Sequence, residues 1–420
     1  MAQKMNNHFT ENHASLFITV LLPLIAFFSC WGSGTQNLTN HDLSKIFVGL
    51  IIVLILHWLF FTKNRLQFPR WVTLFVAFSF IHTAVTYGIL FPEELGFGYT
   101  GIVHLNENFS SMQESLLFVI SRFFLFILFG YAIAREINNK QQISTFAIFY
   151  GLGLLFIHLT GGYETQDKEN IEIRQAGGFL NANAFGLSGL TAIFLGLVGF
   201  TITKSQFAKT LSVVTIATGI MALIASASRG NIIGALAGIL ILIFFSRLKQ
   251  MMKFALFSIA VLTTILLFAP GKYTQTVMTR FEHDKLTEGG GSGRTGIWKD
   301  YLDNLSKYFV IGVGQGRSIT VIEDNWTEKY AVTHNTYLQI LVEYGLPGLC
   351  LLIAALTALF KMLKKIEEPQ LRIHALAALT AWTVSVTFGN RLTARDTWIL
   401  LGILVATAKI SAKKLPLEKF

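Results

Sequence analysis

Long apolar stretches, each ended by a short polar segment, run along almost the whole chain. A helix needs roughly 20 apolar residues to cross about 30 Å of hydrocarbon. Runs of that kind occupy 15–34, 43–61, 71–91, 116–134, 143–159, 178–201, 207–226, 229–246, 253–269, 335–360, 372–389 and 395–410. The pattern predicts an all-α polytopic membrane protein of about 12 transmembrane helices. One polar connection, 270–334, is far longer than the rest and divides the chain into 1–269, with helices one to nine, and 335–420, with helices ten to twelve. A connection of that length in a compact bundle is usually functional. Within it Ile297, Tyr301, Leu302, Leu305, Tyr308 and Phe309 recur at helical spacing after "EGGGSG", with Ser292 placed to cap the start. An amphipathic helix lying on the membrane surface or the bundle is therefore expected.

Composition supports the bilayer: of 420 residues 52% are hydrophobic and only 14% charged, outside the range of soluble domains. Charge then orients the helices, because basic connections stay cytoplasmic. With both termini inside, Lys63, Arg65, Arg70, Arg135, Lys140, Lys204, Lys209, Arg247, Lys249, Lys253, Lys361, Lys364, Lys365 and Arg372 all fall on the inner side. The net charge of +10 is thus a consequence of topology and requires no nucleic-acid partner. The first apolar run follows a polar N-terminus with a single lysine and lacks a small-residue cleavage site, so a retained helix is expected. Cys30 and Cys350 sit inside apolar runs, where cysteine behaves as a small hydrophobe, and no disulfide is expected.

On this topology the outer side carries the unusual sequence. It comprises 92–115, 160–177 leading into "GFLNANAFG", the turn "SASRGN" at 226–231, and the long connection. His334 stands at the mouth of the tenth span, whose "GLPG" at 345–348 predicts a break: Pro347 cannot donate to the carbonyl of Glu343. A lone histidine at a membrane boundary is more often a polar anchor than a catalyst. For any one arginine, pairing with Glu164 or Glu172, or snorkelling to lipid phosphate, is an adequate account. Arg174, Arg229 and Arg294, however, all fall on the same side as His334, and desolvated arginines near hydrocarbon call for an anion. The guanidinium fork suits a diphosphate, and a neutral imidazole can take a proton from an attacking sugar hydroxyl. The glycines of "IGVGQGR" either let backbone approach a ligand or form simple turns, and Arg317, which closes that stretch, is a further binding candidate. Arg122, the one charge well inside a predicted span, either helps to hold the diphosphate or pairs with Glu114. Neither an Asp-x-Asp metal site nor a Walker-type loop occurs, which argues against a nucleotide-dependent cytoplasmic enzyme.

Several of these stretches resemble the O-antigen ligase and polymerase superfamily of bacterial envelopes: "SASRG", "GSGRTGIWKDYL" followed by "IGVGQG", and above all "THNTYLQILVEYGLPGL". "RQAGGFLNANAFG" is similar to a shorter motif of the same proteins, and the resemblance runs from about 174 to 360. It implies a metal-independent, cofactor-free, inverting glycosyltransferase in the bacterial inner membrane. The active site would face the periplasm, and the donor would be an undecaprenyl diphosphate-linked glycan. Ligases of the superfamily deliver the glycan to lipid A core, polymerases to a second lipid-linked glycan, and a third branch to protein hydroxyls; the ligase activity is the one preferred here. Carried over, His334 activates the acceptor while Arg229 and Arg294 hold the diphosphate, with Arg174 a looser third member. Asn335 and Tyr337 either orient the acceptor or His334, or cap and pack. A secondary transporter is the competing class, although such carriers place ionisable residues near the bilayer midplane.

Overall fold

The computed structural model describes residues 17–30, 44–61, 68–87, 112–160, 163–166, 173–177, 181–245, 271–281, 294–322 and 332–412. Helices occupy every predicted apolar run except 253–269, which lies outside the described residues. They are α1 (Phe17–Phe28), α2 (Ser44–Phe61), α3 (Arg70–Val85), α4 (Met112–Glu136), α5 (Lys140–Leu159), α6 (Ala182–Ile202), α7 (Gln206–Ser226) and α8 (Arg229–Phe245), followed in the long connection by α9 (Gly271–Arg280) and α10 (Arg294–Asp303), and then by α11 (Thr336–Leu363), α12 (Pro369–Ser385) and α13 (Arg395–Ser411). Among the described residues, five helices are long and apolar enough to cross a membrane: α5, α6, α7, α11, and α12 with its short continuation. The protein is a multi-pass helical membrane protein.

One element departs from the all-helical expectation. Strands β1 (Tyr163–Gln166) and β2 (Ile173–Gly177) form an antiparallel hairpin, with Tyr163 opposite Gly177 and Thr165 opposite Arg174. The segment is too polar to be a helix of the bundle, and its backbone groups find partners by pairing with each other. Strand β2 lies against α6, α7 and α9.

Helix α6 is the hub of the bundle, packed on α5, α7, α8, α12 and α13. Almost all of its residues are buried, which requires a helix apolar on every side. Helix α8 lies close against α12, where a side chain on Gly234 would meet the carbonyl of Ala381 at 2.5 Å. Helix α11 packs on α3, and α13 on α4.

The predicted break in α11 is present: Gly345 has φ 68° and ψ −171°, two residues before Pro347. Backbone groups freed by a break must be satisfied elsewhere, and the "IGVGQGR" segment does this. Gly314 N–H donates to the Glu343 carbonyl at 2.9 Å, Val313 N–H to the Val342 carbonyl at 2.9 Å, and Leu346 N–H to the Phe309 carbonyl at 2.8 Å. Gly312, Gly314 and Gly316 all have positive φ, and a side chain on Gly312 would lie 2.5 Å from the Glu343 carbonyl oxygen. Phe309, Val313 and Gly314 therefore repair the broken helix from outside.

Helix α10 is shorter than the apolar repeat predicts and ends at Asp303. Asn304 donates its side-chain amide to the Asp300 carbonyl at 2.9 Å, competing with continued helix. A 3-10 turn follows at Leu305–Lys307. Ile297, Tyr301 and Tyr308 face inward on Val321, Ile322, Leu338 and Val342, whereas Leu302 and Phe309 are exposed. The loop helix thus rests on the first turns of α11. Ser292, the expected cap, lies outside the described residues.

Candidate active site

Two helix starts at one end of the bundle carry candidate residues, and each is approached through an unusual backbone. Among the described residues, the only non-glycine positions with positive φ are Ala227 (φ 46°) and His334 (φ 47°). Ala227 is the left-handed cap that ends α7, a position where glycine is usual. Two residues later α8 begins at Arg229. Its first turn is fixed by Asn231, fully buried, whose amide donates to the Asn183 carbonyl and to Ser228 Oγ, both at 2.9 Å. The Asn231 amide oxygen in turn accepts from Ser385 Oγ at 2.6 Å. Asn181, from the "NANAFG" stretch, caps α6 by accepting from Asn183 N–H at 2.8 Å. Three helices thereby lock the backbone that presents Arg229, whose Nη1 donates to the Arg280 carbonyl at 3.2 Å.

His334 is held on both sides. Before it, the Thr333 carbonyl accepts from Trp298 Nε1 at 2.7 Å, and Thr333 Oγ1 donates to Asn390 Oδ1 at 2.9 Å. After it, the Asn335 side chain caps α11 by accepting from the N–H groups of Tyr337 and Leu338 at 2.9 and 3.1 Å. Thr336 Oγ1 donates to the Gly389 carbonyl at 2.6 Å and accepts from Arg391 N–H at 3.0 Å. A left-handed conformation costs an ordinary residue on the order of 1 kcal/mol or more, and it persists where its surroundings over-determine it. Arg294, the first residue of α10, reaches across to donate Nη1 to the Phe388 carbonyl at 3.0 Å, at the 3-10 end of α12.

These side chains feel one another. Burial, then the positive charges of Arg294 and Arg391, push the His334 imidazole down to about 4. Burial, then Arg229 and Arg280, push Arg294 down to about 10. Burial, then Arg294, bring Arg391 to about 10 against the opposing pull of Asp396. Among the described residues, the charges acting on His334 and Arg294 are all positive. Such a cluster is unfavourable unless it receives an anion, and the neutral imidazole beside it can accept a proton.

His334, Arg229 and Arg294 are thus brought together. Arg174 sits on β2, which lies against α9, the helix that ends at Arg280; its side chain lies outside the described residues. So does the side chain of Arg122, on α4. Arg317 is buried and its charge is felt at Tyr87, at the end of α3; it is not among the charges felt at His334 or Arg294. Asn335 serves as the helix cap, and the Tyr337 hydroxyl donates to the Thr383 carbonyl at 3.0 Å, so of the two roles open for each, capping and packing are those seen. Arg280 and Arg391 join the cluster unpredicted. The available signal was "FGNRLTAR", two arginines on the predicted outer side with no acid before Asp396.

Residues 214–353 match the family model described as O-Antigen ligase. Over that third of its length the chain is similar to the O-antigen ligase family. No curated protein matches the chain. The O-antigen ligase domain begins within α7 and ends within α11, so it contains Arg229, Arg280, Arg294 and His334, whereas Arg122, Arg174 and Arg391 lie outside it. The chemistry of the O-antigen ligase family is glycosyl transfer of the ligase or polymerase type, with lipid-linked glycans as substrates.

Proposed function

We propose that this protein is an inverting, metal-independent O-antigen ligase of the bacterial inner membrane, moving a glycan from undecaprenyl diphosphate to lipid A core oligosaccharide on the periplasmic face. The observation that carries this reading is the neutral imidazole of His334 standing among guanidinium groups at one end of the bundle. Arg229 and Arg294 hold the donor diphosphate. A hydroxyl of the acceptor attacks the anomeric carbon from the face opposite the diphosphate, and its proton passes to the His334 imidazole. As the new C–O bond forms, the bond from the anomeric carbon to the phosphate oxygen breaks. Its electron pair leaves with the diphosphate, where the guanidinium groups stabilise the added charge.

An imidazole at about 4 is a weak base at neutral pH, because a general base works best when its pKa lies near the working pH. The diphosphate resolves this. Its negative charges offset Arg294 and Arg391, the two cations that add to burial in depressing His334, so donor binding raises the basicity of the imidazole. On this account the site is switched on by its donor, and the acceptor is activated only when a glycan is in place. Both Asn335 and Tyr337 act by fixing the backbone and helix that carry His334.

The test is reconstitution of the purified protein with a lipid-linked glycan and two acceptors offered separately, lipid A core oligosaccharide and a second lipid-linked repeat. Transfer to lipid A core is the expected result. Transfer only to the lipid-linked repeat would make the protein a polymerase, and no transfer to either would overturn the assignment.

A further inference from the structure

The turn between α12 and α13 contains a cation to which the proposed mechanism assigns no donor role, and an amide it does not use. Arg391 is only 7% exposed, and its Nε meets no acceptor among the described residues. The neighbouring Asn390 has its amide oxygen occupied by Thr333 Oγ1, which orients the amide, and its buried Nδ2 also meets no acceptor among the described residues. Two buried donors side by side without acceptors are costly to leave so. Both are rigidly attached to the residues flanking His334: Asn390 through Thr333, and Arg391 through its own N–H on Thr336 Oγ1. The guanidinium lies over Gly389, where a side-chain carbon would fall 2.7 Å from Nε, 2.9 Å from Cζ and 3.0 Å from Nη2. The acid that acts on Arg391 is Asp396, and its two carboxylate oxygens already accept from Tyr150 and Ser188.

We propose that the Gly389–Arg391 corner is part of the anion site, with Arg391 Nε and Asn390 Nδ2 donating to oxygens of the diphosphate beside His334. This assignment rests on the reading of the site as a diphosphate site, and it adds residues outside the O-antigen ligase match at 214–353. Gly389 is part of the same device, since its missing side chain leaves the space the guanidinium occupies. The shared chemistry is the diphosphate, whether it arrives on a lipid or free.

The experiment is titration of the full-length protein in lipid nanodiscs with inorganic pyrophosphate and, separately, with farnesyl diphosphate. Wild type is compared with Arg391→Gln, Asn390→Ala, Gly389→Ala and Arg294→Gln. A diphosphate that binds in one arm only identifies its source, and the variants are compared in that arm. A charge-assisted hydrogen bond is worth enough for about a tenfold loss or more, so Arg391→Gln and Gly389→Ala are expected to weaken binding by at least that factor, and Asn390→Ala by less. Gly389→Ala keeps the charge and the Asp396 partner, so it decides the matter if Arg391→Gln fails to fold. Wild-type affinity in Arg391→Gln or Gly389→Ala, with binding lost in Arg294→Gln, overturns this inference and leaves the diphosphate site standing. No binding by wild type in either arm overturns both.

Discussion

Two buried charged clusters lie near one another in this bundle, and they are built on opposite principles. Around Asp396 the charges are opposite in sign, with Arg395 acting on the carboxylate, whose oxygens accept from Tyr150 at 2.5 Å and from Ser188 at 3.1 Å. Arg395, which couples to it, also lies 4.9 Å from the centre of the Phe47 ring. Around His334 the charges are alike, and Arg229, Arg280, Arg294 and Arg391 act on the imidazole or on one another. A matched cluster contributes to the fold and is damaged by removal of either partner. A cluster of like charges opposes the fold and is relieved by an anion. On the proposed reading, the difference separates residues that hold helices together from residues that take up an anion, and it can be tested from both directions.

The largest expected effect is on chemistry. His334→Ala should lower transfer by about a thousandfold, within the range for loss of a general base, while diphosphate binding and the melting temperature stay near wild type; a parallel loss of binding would make His334 an anion ligand instead. Next, Asp396→Ala should cost about 3–5 kcal/mol of stability, read as a fall in melting temperature, with transfer per folded molecule retained. In the like-charged cluster the pattern should invert. Arg294→Lys and Arg229→Lys should each lose about a hundredfold in transfer with no fall in melting temperature, because a lysine keeps the charge and loses the fork. Full activity of the lysine variants would defeat the bidentate argument.

The smallest effect is a displacement in pH. His334 must be neutral to accept a proton, and in the free protein it sits at about 4, so kcat/KM for the donor should fall as pH drops through that value. Bound diphosphate raises the imidazole, so the acid limb of kcat should lie at higher pH than that of kcat/KM. Arg294→Gln removes one of the two depressing cations and should move the kcat/KM limb upward. Coincident limbs in wild type, unmoved in Arg294→Gln, would show that no such coupling exists.

Much of this arrangement was legible in the sequence because the signals were local. The apolar runs marked the helices, Pro347 marked the break in α11, and two cations of the cluster, Arg229 and Arg294, stood at predicted helix starts on the same side as His334. What escaped depended on tertiary placement. Nothing along the chain says that Val313 and Gly314 of "IGVGQGR" satisfy the carbonyls of Val342 and Glu343, because that pairing joins segments far apart in sequence. The β1–β2 hairpin escaped because its short polar strands lack an apolar alternation to mark them. Arg391 escaped because its neighbours Gly389 and Thr336 become meaningful only once α11 and α12 are side by side. Arg395 and Asp396, at the mouth of the last run, gave no hint that both would be buried, Asp396 against α5 and α6 and Arg395 over Phe47 of α2.

Like charges gathered around His334 are kept for an anion on this reading, and the decisive measurement is thermal unfolding of Arg294→Gln with and without pyrophosphate. The variant should be at least as stable as wild type, and pyrophosphate should raise the melting temperature of wild type but not of the variant. A variant that is less stable than wild type, yet raised equally by pyrophosphate, would contradict it.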